Sequence, residues 1–572
     1  MLDVSDIVKE YDFKNDKKRV LDNISFSVAD GEILGVTGKS GSGKTTLLKI
    51  LRGTESFDEG SFRLGELEIT PTSEKDTLKS LHLSTAIHLQ RNFGLWNGPA
   101  IENIIRRLNF QYTGDEGLPE PDSLHYEDMY EEAMEYMRLV GLDDKALHSS
   151  NLLSGGEKQR LIIARQLAAK PKMLLLDEPV TMTGPGTKQE ILDVIKNMKG
   201  RLNIPIVVVS HLPEVHLYLS DRVAYLEDGK LLEIGETEKV LKHFLRDLEK
   251  QVELPEIRQK EPVIKVRNLS NRFSLLRVGE VLKFEDISLD INRGEITALI
   301  GQSGAGKTTI LKMIEGLRTP KEGNISYLHE GEWLNILEFT RQRLDLRKKI
   351  SIMHQEFTLS PHSTVREQMA FKLRLKGEKS LDFARKKAAE IGIPEQVLDT
   401  LYSLPDMSED EKEKIMQQIN MTPDIYSLLF PFITKDDVDE HAKDIFAALD
   451  LPMEVLDKTP YQISGGEHVR AYIALALATN PEILILDEPF GDLDPVTLRD
   501  VTNSLKRIND TFGTTVILVS HHMDFVKEVA HRAVLVDNGK IIMDSKPEEV
   551  CSRLIEMSNA SYLEHDLQEL AS

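Results

Sequence analysis

Two stretches of the chain carry the same chemistry. They are Gly38-Lys-Ser40-Gly41-Ser-Gly43-Lys44-Thr45-Thr46 and Gly301-Gln-Ser303-Gly304-Ala-Gly306-Lys307-Thr308-Thr309. Each places glycines where backbone N–H groups can converge on an anion, and then supplies a lysine and two threonines. Each follows an apolar run (Ile33-Leu-Gly-Val36; Ile296-Thr-Ala-Leu-Ile300) and precedes a helix-forming stretch. This is the phosphate-binding pattern G-x-x-x-x-G-K-[ST], in which loop N–H groups and a helix N-terminus cradle the phosphates. Lys44 and Lys307 would then reach the β- and γ-phosphates of a nucleotide, and Thr45 and Thr308 would hold Mg²⁺. Two matches with correct flanks are no accident of composition.

Further along, Asp177-Glu178 and Asp487-Glu488 each end an apolar strand-like run. In the context of a phosphate loop, Asp177 and Asp487 support Mg²⁺, and Glu178 and Glu488 are placed to polarise an attacking water. The chain therefore repeats itself. The phosphate loops lie 263 residues apart, whereas Leu153-Ser154-Gly155-Gly156-Glu157 recurs as Ile463-Ser464-Gly465-Gly466-Glu467 after 310. Leu176-Asp-Glu-Pro179 and Ser210-His211 recur at the same 310-residue spacing, as Leu486-Asp-Glu-Pro489 and Ser520-His521. The second copy thus holds a net insertion of about 45 residues between Gln355 and Ser464.

The elements needed to position these residues are legible too. Alternating runs such as Val20–Val28 and Phe284–Ile291 read as strands, and strands alternating with helices define an α/β domain with a largely parallel sheet. The expected organisation is a first domain over 1–246, a charged, proline-containing linker over 247–262, and a second domain over 263–572. The insertion, at about 375–445, shows helix-start signals at Ser408-Glu-Asp-Glu411 and Thr422-Pro423. It reads either as an enlarged helical lid or as a docking surface.

Composition narrows the function. The longest apolar runs, such as Met173–Leu176, are far short of the roughly 20 residues of a membrane-spanning helix, and the N-terminus lacks signal-peptide character. The expectation is a cytoplasmic protein with no pore of its own. A net charge of −23 argues against nucleic acid, whose phosphates call for clustered cations. The single cysteine, Cys551, cannot by itself build a zinc site, a cluster or an internal disulfide.

Ser154-Gly155-Gly156-Glu157 and Ser464-Gly465-Gly466-Glu467 resemble the signature loop of ATP-binding-cassette (ABC) ATPases. The resemblance covers nearly the whole chain. It implies two tandem cassettes, each with a helical signature subdomain, in which the signature loop of one closes on ATP held by the other. It also implies roles for further residues. Gln90 and Gln355 match the glutamine that touches Mg²⁺ and senses the γ-phosphate. His211 and His521 match the switch histidine, and Tyr11 and Phe273 stand where an aromatic ring stacks on adenine. One position departs from the pattern: the loop after Glu488 ends in Asp494, but its counterpart after Glu178 carries Gly184. Unequal turnover at the two sites is the expectation.

Within the family, the missing N-terminal cysteine cluster excludes the iron–sulfur ribosome-recycling members. The short mixed linker excludes the translation-factor members, and the absence of zinc fingers or long coiled coils excludes the DNA-repair members. Two readings remain. One is the ATPase subunit of an importer docking on a separate membrane permease. The other is a cassette pair that drives a conformational change in soluble protein partners. In length, enlarged second half, Leu51-Arg-Gly-Thr-Glu segment and acidic composition, the chain resembles the twin-cassette ATPases that serve reductive activation of methyl-coenzyme M reductase in methanogenic archaea. That resemblance implies the reductase and its activation factors as partners.

Overall fold

A computed structural model describes the chain except for residues 14–15, 89–93, 124, 181–182, 259, 276–278, 339, 355–358, 378–379, 405–408, 420, 423, 492 and 564–572. Gln90, Gln355, Ser408 and Pro423 fall outside the described residues. The chain forms two compact units, and each is built on the same plan.

In the first unit a six-stranded sheet runs in the order Lys230–Glu236, Arg222–Glu227, Ile33–Thr37, Ile206–Val209, Met173–Asp177, Thr85–His88. Its strands are parallel except Lys230–Glu236, which pairs antiparallel at one edge. Ile33–Thr37, Met173–Asp177 and Ile206–Val209 are buried at every position, because helices cover both faces of a parallel sheet and leave no polar side. A second, antiparallel sheet contains Leu2–Phe13, Asp16–Val28, Glu59–Leu64 and Leu67–Ile69. The apolar side chains of the two sheets and of the helix Lys44–Arg52 make one core.

The second unit repeats this sheet order, with Ile350–Met353, Ile483–Asp487, Thr515–Val519, Ile296–Ile300, Arg532–Asp537 and Lys540–Ser545. Between the helices Val365–Lys376 and Lys435–Ala448 it carries four more: Ser380–Ile391, Glu395–Ser403, Glu409–Gln418 and Ile425–Leu429. These enclose a hydrophobic cluster of their own, with Leu381, Leu398, Leu401, Tyr402, Leu429 and Phe430 at its centre. Among the described residues the first unit has no helix between Ala100–Thr113 and Tyr126–Leu139.

The chain divides differently from the boundaries the sequence suggests. The first unit comprises Met1–Leu248 with two later pieces, Asp492–Val496 and Met557–Ser572. The C-terminal piece is held there by Gln189, whose Oε1 accepts from Tyr562 N–H at 3.0 Å. The stretch read as a linker lies mostly in the second unit, along the helix Pro495–Phe512. Val252 N–H donates to Asn503 Oδ1 at 2.9 Å, and Lys506 Nζ donates to Val252 O at 2.7 Å. It is a strap fastened by polar contacts, which leave no apolar period in the sequence. Among the described residues no helix is long and apolar enough to cross a membrane.

Candidate functional site

The site begins where the strand Ile33–Thr37 stops. Gly38 has φ 148°, and a Cβ there would stand 2.1 Å from Leu226 O. Gly301 repeats this, with φ 156° and Val536 O at 2.1 Å. No side chain fits, so the loop turns close under the neighbouring strand and opens its N–H groups outward. Gly41, Gly43, Gly304 and Gly306 also have positive φ, and Lys44 and Lys307 then open their helices. Thr45, Thr46, Thr308 and Thr309 lie in the first turns, where the helix favours anions.

Lys44 is buried and curls back over the loop, donating from Nζ to Gly38 O at 2.7 Å and Lys39 O at 2.8 Å. Lys307 does the same with Gly301 O and Gln302 O, both at 3.0 Å. Burial lowers both lysines from the ordinary ammonium range. Carboxylates nearby, Glu178, Asp494 and Asp177 for Lys44 and Glu488 and Asp487 for Lys307, favour the charged form against that burial, and Ser42 Oγ accepts from Lys44 at 3.4 Å. Thr45 Oγ1 donates to Asp177 Oδ1 at 3.4 Å, and Thr308 Oγ1 to Asp487 Oδ1 at 3.0 Å. Burial, with the adjacent Glu178 charge, raises Asp177 to about 6; burial also raises Asp487. Such carboxylates favour a cation beside them. Among the described residues no three His, Cys, Asp or Glu side chains gather as a metal cage. The oxygen donors Thr45 with Asp177, and Thr308 with Asp487, fit Mg²⁺, which is usually held by one or two protein oxygens and the substrate phosphates.

Glu178 and Glu488 have φ of 50° and 49°, left-handed conformations that cost of order 1 kcal/mol or more for residues with a Cβ. Each backbone is fixed by the next strand: Glu178 N–H donates to Val209 O at 3.0 Å and Glu488 N–H to Val519 O at 3.1 Å. The turn brings each carboxylate to its histidine. Glu178 Oε1 lies 2.7 Å from His211 Nδ1 and accepts from His211 N–H at 3.0 Å. Glu488 Oε1 lies 2.7 Å from His521, but from Nε2. Burial pulls the His211 pKa down, and the charge and hydrogen bond of Glu178 outweigh it, so the imidazole stands above its ordinary range. Among the described residues His211 Nε2 is buried with no hydrogen-bond partner, as expected of a donor awaiting a ligand oxygen.

Ser154 and Ser464 cap the helices Gly155–Leu167 and Gly465–Leu477. Each Ser Oγ accepts from the Glu157 or Glu467 N–H, and the glutamate side chain accepts from the serine N–H. The glutamate of each signature loop thus fixes the helix start, a pairing that the S-x-x-E spacing announces. Tyr11 sits in the strand Leu2–Phe13, with the Lys9 ammonium 4.8 Å from its ring centroid. Phe273 occupies the strand Pro262–Leu275, opposite Leu282. Two supports were assigned no role from the sequence. Ser210 Oγ donates to Glu178 Oε2 at 3.3 Å, and buried His216 reaches Ser210 O from Nε2 at 2.9 Å. The recurrence of Ser210 as Ser520 was a signal for the first. Asp494, in the piece that joins the first unit, accepts from Ser40 N–H at 3.3 Å and is buried.

Two glycine-loop domains with paired Asp–Glu strand ends define a tandem P-loop nucleoside triphosphatase. The family model for ABC transporters matches residues 21–181 and 284–491. The chain is 44% identical, over 99% of both proteins, to an uncharacterized ABC transporter ATP-binding protein of Methanocaldococcus jannaschii. It is 26% identical to the glutathione import ATP-binding protein GsiA of Escherichia coli, across 93% of this chain and 84% of that one. A solved structure described as an RNase-L inhibitor shares the fold, with a TM-score of 0.58, 18% identity, and coverage of 97% of this chain and 93% of the other. The chain belongs to the ABC transporter ATP-binding family, as a twin-cassette ATPase.

Proposed function

We propose that the two cassettes close head to tail on two ATP molecules and use hydrolysis to move a protein partner in the cytoplasm. The first site joins Lys44, Glu178 and His211 to Ser464 and Gly466; the second joins Lys307, Glu488 and His521 to Ser154 and Gly156. The observation that carries this reading is Asp494: it follows Glu488 in the chain, yet its carboxylate receives the Ser40 N–H of the other phosphate loop. Glu178 and Glu488 accept a proton of the water that attacks the γ-phosphorus, while the bond from that phosphorus to the β,γ-bridging oxygen breaks and ADP leaves with the electron pair. His211, holding Glu178 from one nitrogen, donates from Nε2 to a γ-phosphate oxygen. Thr45 with Asp177, and Thr308 with Asp487, would hold Mg²⁺ together with Gln90 and Gln355, and the ion would supply neutralisation of the triphosphate's charge. Tyr11 and Phe273 would stack on adenine. Cysteines at Ser464 and Ser40 should crosslink in ATP, with native Cys551 buried and silent; selective crosslinking of Ser464→Cys to the Lys307 loop would sink the arrangement.

The partner favoured is the methyl-coenzyme M reductase system, with the chain as its ATP-dependent component A-two. The resemblance described above supports this. The insertion, carried by the second cassette, offers a protein partner a helical surface of its own, on which Leu428 and Phe432 are exposed. Reductase activation in a reconstituted soluble mixture tests it: the trimmed insertion should keep basal ATP hydrolysis and lose activation. A second reading, the ATPase subunit of an importer, is favoured by the likeness to GsiA; co-purification with a permease would establish it.

A further inference from the structure

The peptide bond between Ser210 and His211 is held at both ends. Its N–H donates to Glu178 Oε1 at 3.0 Å, and its carbonyl accepts from His216 Nε2 at 2.9 Å. The tautomer of His216 follows from its partners. A carbonyl oxygen only accepts, so Nε2 carries the proton and Nδ1 accepts from the Ser220 hydroxyl at 3.2 Å. Burial keeps this ring neutral, lowering it to about 4. Ser210 and His216 are both fully buried, where a hydrogen bond is stronger than in water.

The ring has room only because position 35 lacks a side chain: a Cβ on Gly35 would lie 2.5 Å from Ser220 Oγ and closer still to the imidazole. By the repeat spacings Gly35, His216 and Ser220 become Ala298, Val526 and Ala530. The three are exchanged together, so an apolar trio stands in the second cassette where the first has a donor and the groups that place it. The switch histidines differ in step. His211 clasps one oxygen of Glu178 with both its backbone N–H and Nδ1, the latter at 2.7 Å, which spares Nε2. His521 meets Glu488 through Nε2 itself.

We infer that His216 is a positioning residue of the first ATP site: its N–H to the Ser210 carbonyl sets and polarises the peptide whose other end holds Glu178. This rests on the reading that Glu178 takes the proton of the attacking water. The physical basis is that both ends belong to one peptide group. Donation to its oxygen draws charge from its nitrogen and strengthens the N–H as a donor, since hydrogen bonds in a chain polarise one another. It also fixes the rotation of the peptide plane, which an apolar neighbour can crowd but cannot orient. The Ser210 side chain follows, because its contacts with Glu178 Oε2 at 3.3 Å and Leu212 N–H at 3.2 Å start from the same backbone. Glu178 and His211 are thereby kept in register for the water and the γ-phosphate. His216 acts only through the peptide.

The test isolates the first site with Glu488→Gln in the full chain and reads ATP turnover. Gly35→Ala with His216→Val and Ser220→Ala removes the donor and copies a combination that already packs in the second cassette. It should lower kcat about fivefold, the worth of one ordinary hydrogen bond, with KM for ATP unchanged. His216→Met, which fills the ring's space without an N–H, should do the same. His216→Gln should return kcat to within about twofold of the parent, because its amide carries an N–H as many bonds from the backbone as Nε2. In a chain carrying isotope-labelled histidine, the His211 amide proton, assigned by its loss in His211→Gln, should shift upfield in both donor-free variants and return in His216→Gln. Packing alone has no reason to track the donor. Parental kcat in the donor-free trio, a loss that His216→Gln shares in full, a change in KM in place of kcat, or an unmoved His211 resonance would overturn the inference. Glu178→Gln, assayed alongside, reports on the underlying reading by itself. Turnover retained there discards the base and leaves the His211 resonance shift as it stands, so the two failures are distinguishable.

Discussion

The first cassette surrounds its phosphate loop with groups that the second has replaced, while both keep the groups proposed to face the phosphates. Lys44 and Lys307, Thr45 and Thr308, Glu178 and Glu488 repeat the same local contacts, down to the left-handed glutamates. One shell out, the copies part. His211 meets its glutamate through Nδ1 and His521 through Nε2. Beneath His211, His216 is wedged so closely that a Cβ on Gly35 would lie 2.3 Å from its Nδ1. The second cassette has Ala298 and Val526 at those places, a paired exchange that conserves filled space. Asp494 has no counterpart but Gly184. The difference teaches that chemistry constrains the inner groups one by one, whereas the support only has to be complete, by whatever combination packs.

The sharpest way to break this comparison is to remove each glutamate in turn. Glu178→Gln and Glu488→Gln should each leave ATP binding intact and slow hydrolysis at its own site by about 10²- to 10³-fold, as for loss of a general base. The loss of total turnover should be greater for Glu178→Gln, whose site has Asp494. The double variant should trap ATP in a closed form. Equal losses from the two single variants, read by steady-state phosphate release, would mean that the surrounding differences do not reach the chemistry.

Acid should then separate the cassettes by stability. Burial lowers His88 and His216 to about 4, below the ordinary imidazole value near 6.5. Between those limits the unfolded chain binds protons that the native chain refuses, so stability falls as pH drops from 6.5 towards 4. Each histidine contributes at most about 3 kcal/mol to that fall. Asp177, raised to about 6, acts in the opposite sense and returns part of it. Met353 and Val526 stand at the corresponding positions of the second cassette, so the first should melt earlier in acid. Calorimetry at pH 7 and pH 5 should show the separation, and His88→Met with the pair Gly35→Ala, His216→Val should remove it.

A smaller effect belongs to Asp494. Asp494→Gly makes the first site resemble the second and removes a hydrogen bond to Ser40. A loss of about tenfold in turnover is expected, the weight of one charge-assisted hydrogen bond. Retained activity in the Glu488→Gln background would show that Gly184 is no handicap to the second site.

How much of this the sequence disclosed follows a physical rule. Loops, strand ends and signature helices were legible because local spacing defines them: a glycine loop must follow a strand, and S-x-x-E must cap a helix. What stayed hidden depends on side chains far apart in the chain. Gln189 holding Tyr562 moves the C-terminal piece into the first unit. Asn503 and Lys506 fasten a strap whose composition reads as a linker. The left-handed Glu178 and Glu488 leave no trace either, since glutamate carries no propensity for that conformation. An arginine-lined cavity of the first cassette draws Arg52, Arg107 and Arg165 from three separate helices, and each alone reads as a solvated charge.

The smallest expected effect tests whether the signature loops are supported alike. A Cβ on Gly156 would lie 2.1 Å from the Thr187 methyl, whereas one on Gly466 would meet nothing nearer than Thr497 Cγ2 at 4.0 Å. Thr187 is β-branched and stiff about χ1, so the first helix must shift its start to admit alanine. At Gly466 the space is open, and alanine is the better helix former by about 1 kcal/mol in a helix interior. Gly156→Ala should therefore destabilise the first cassette by about 1–3 kcal/mol, the usual cost of overpacking. Gly466→Ala should leave the second unchanged or slightly more stable. Any effect of Gly466→Ala on turnover then comes from its approach to phosphate, with no folding component. Thermal melts of the two variants without nucleotide measure the structural part, and phosphate release measures the rest. If both alanines melt alike, the packing difference at Thr187 is without consequence, and the two signature loops are equivalent supports after all.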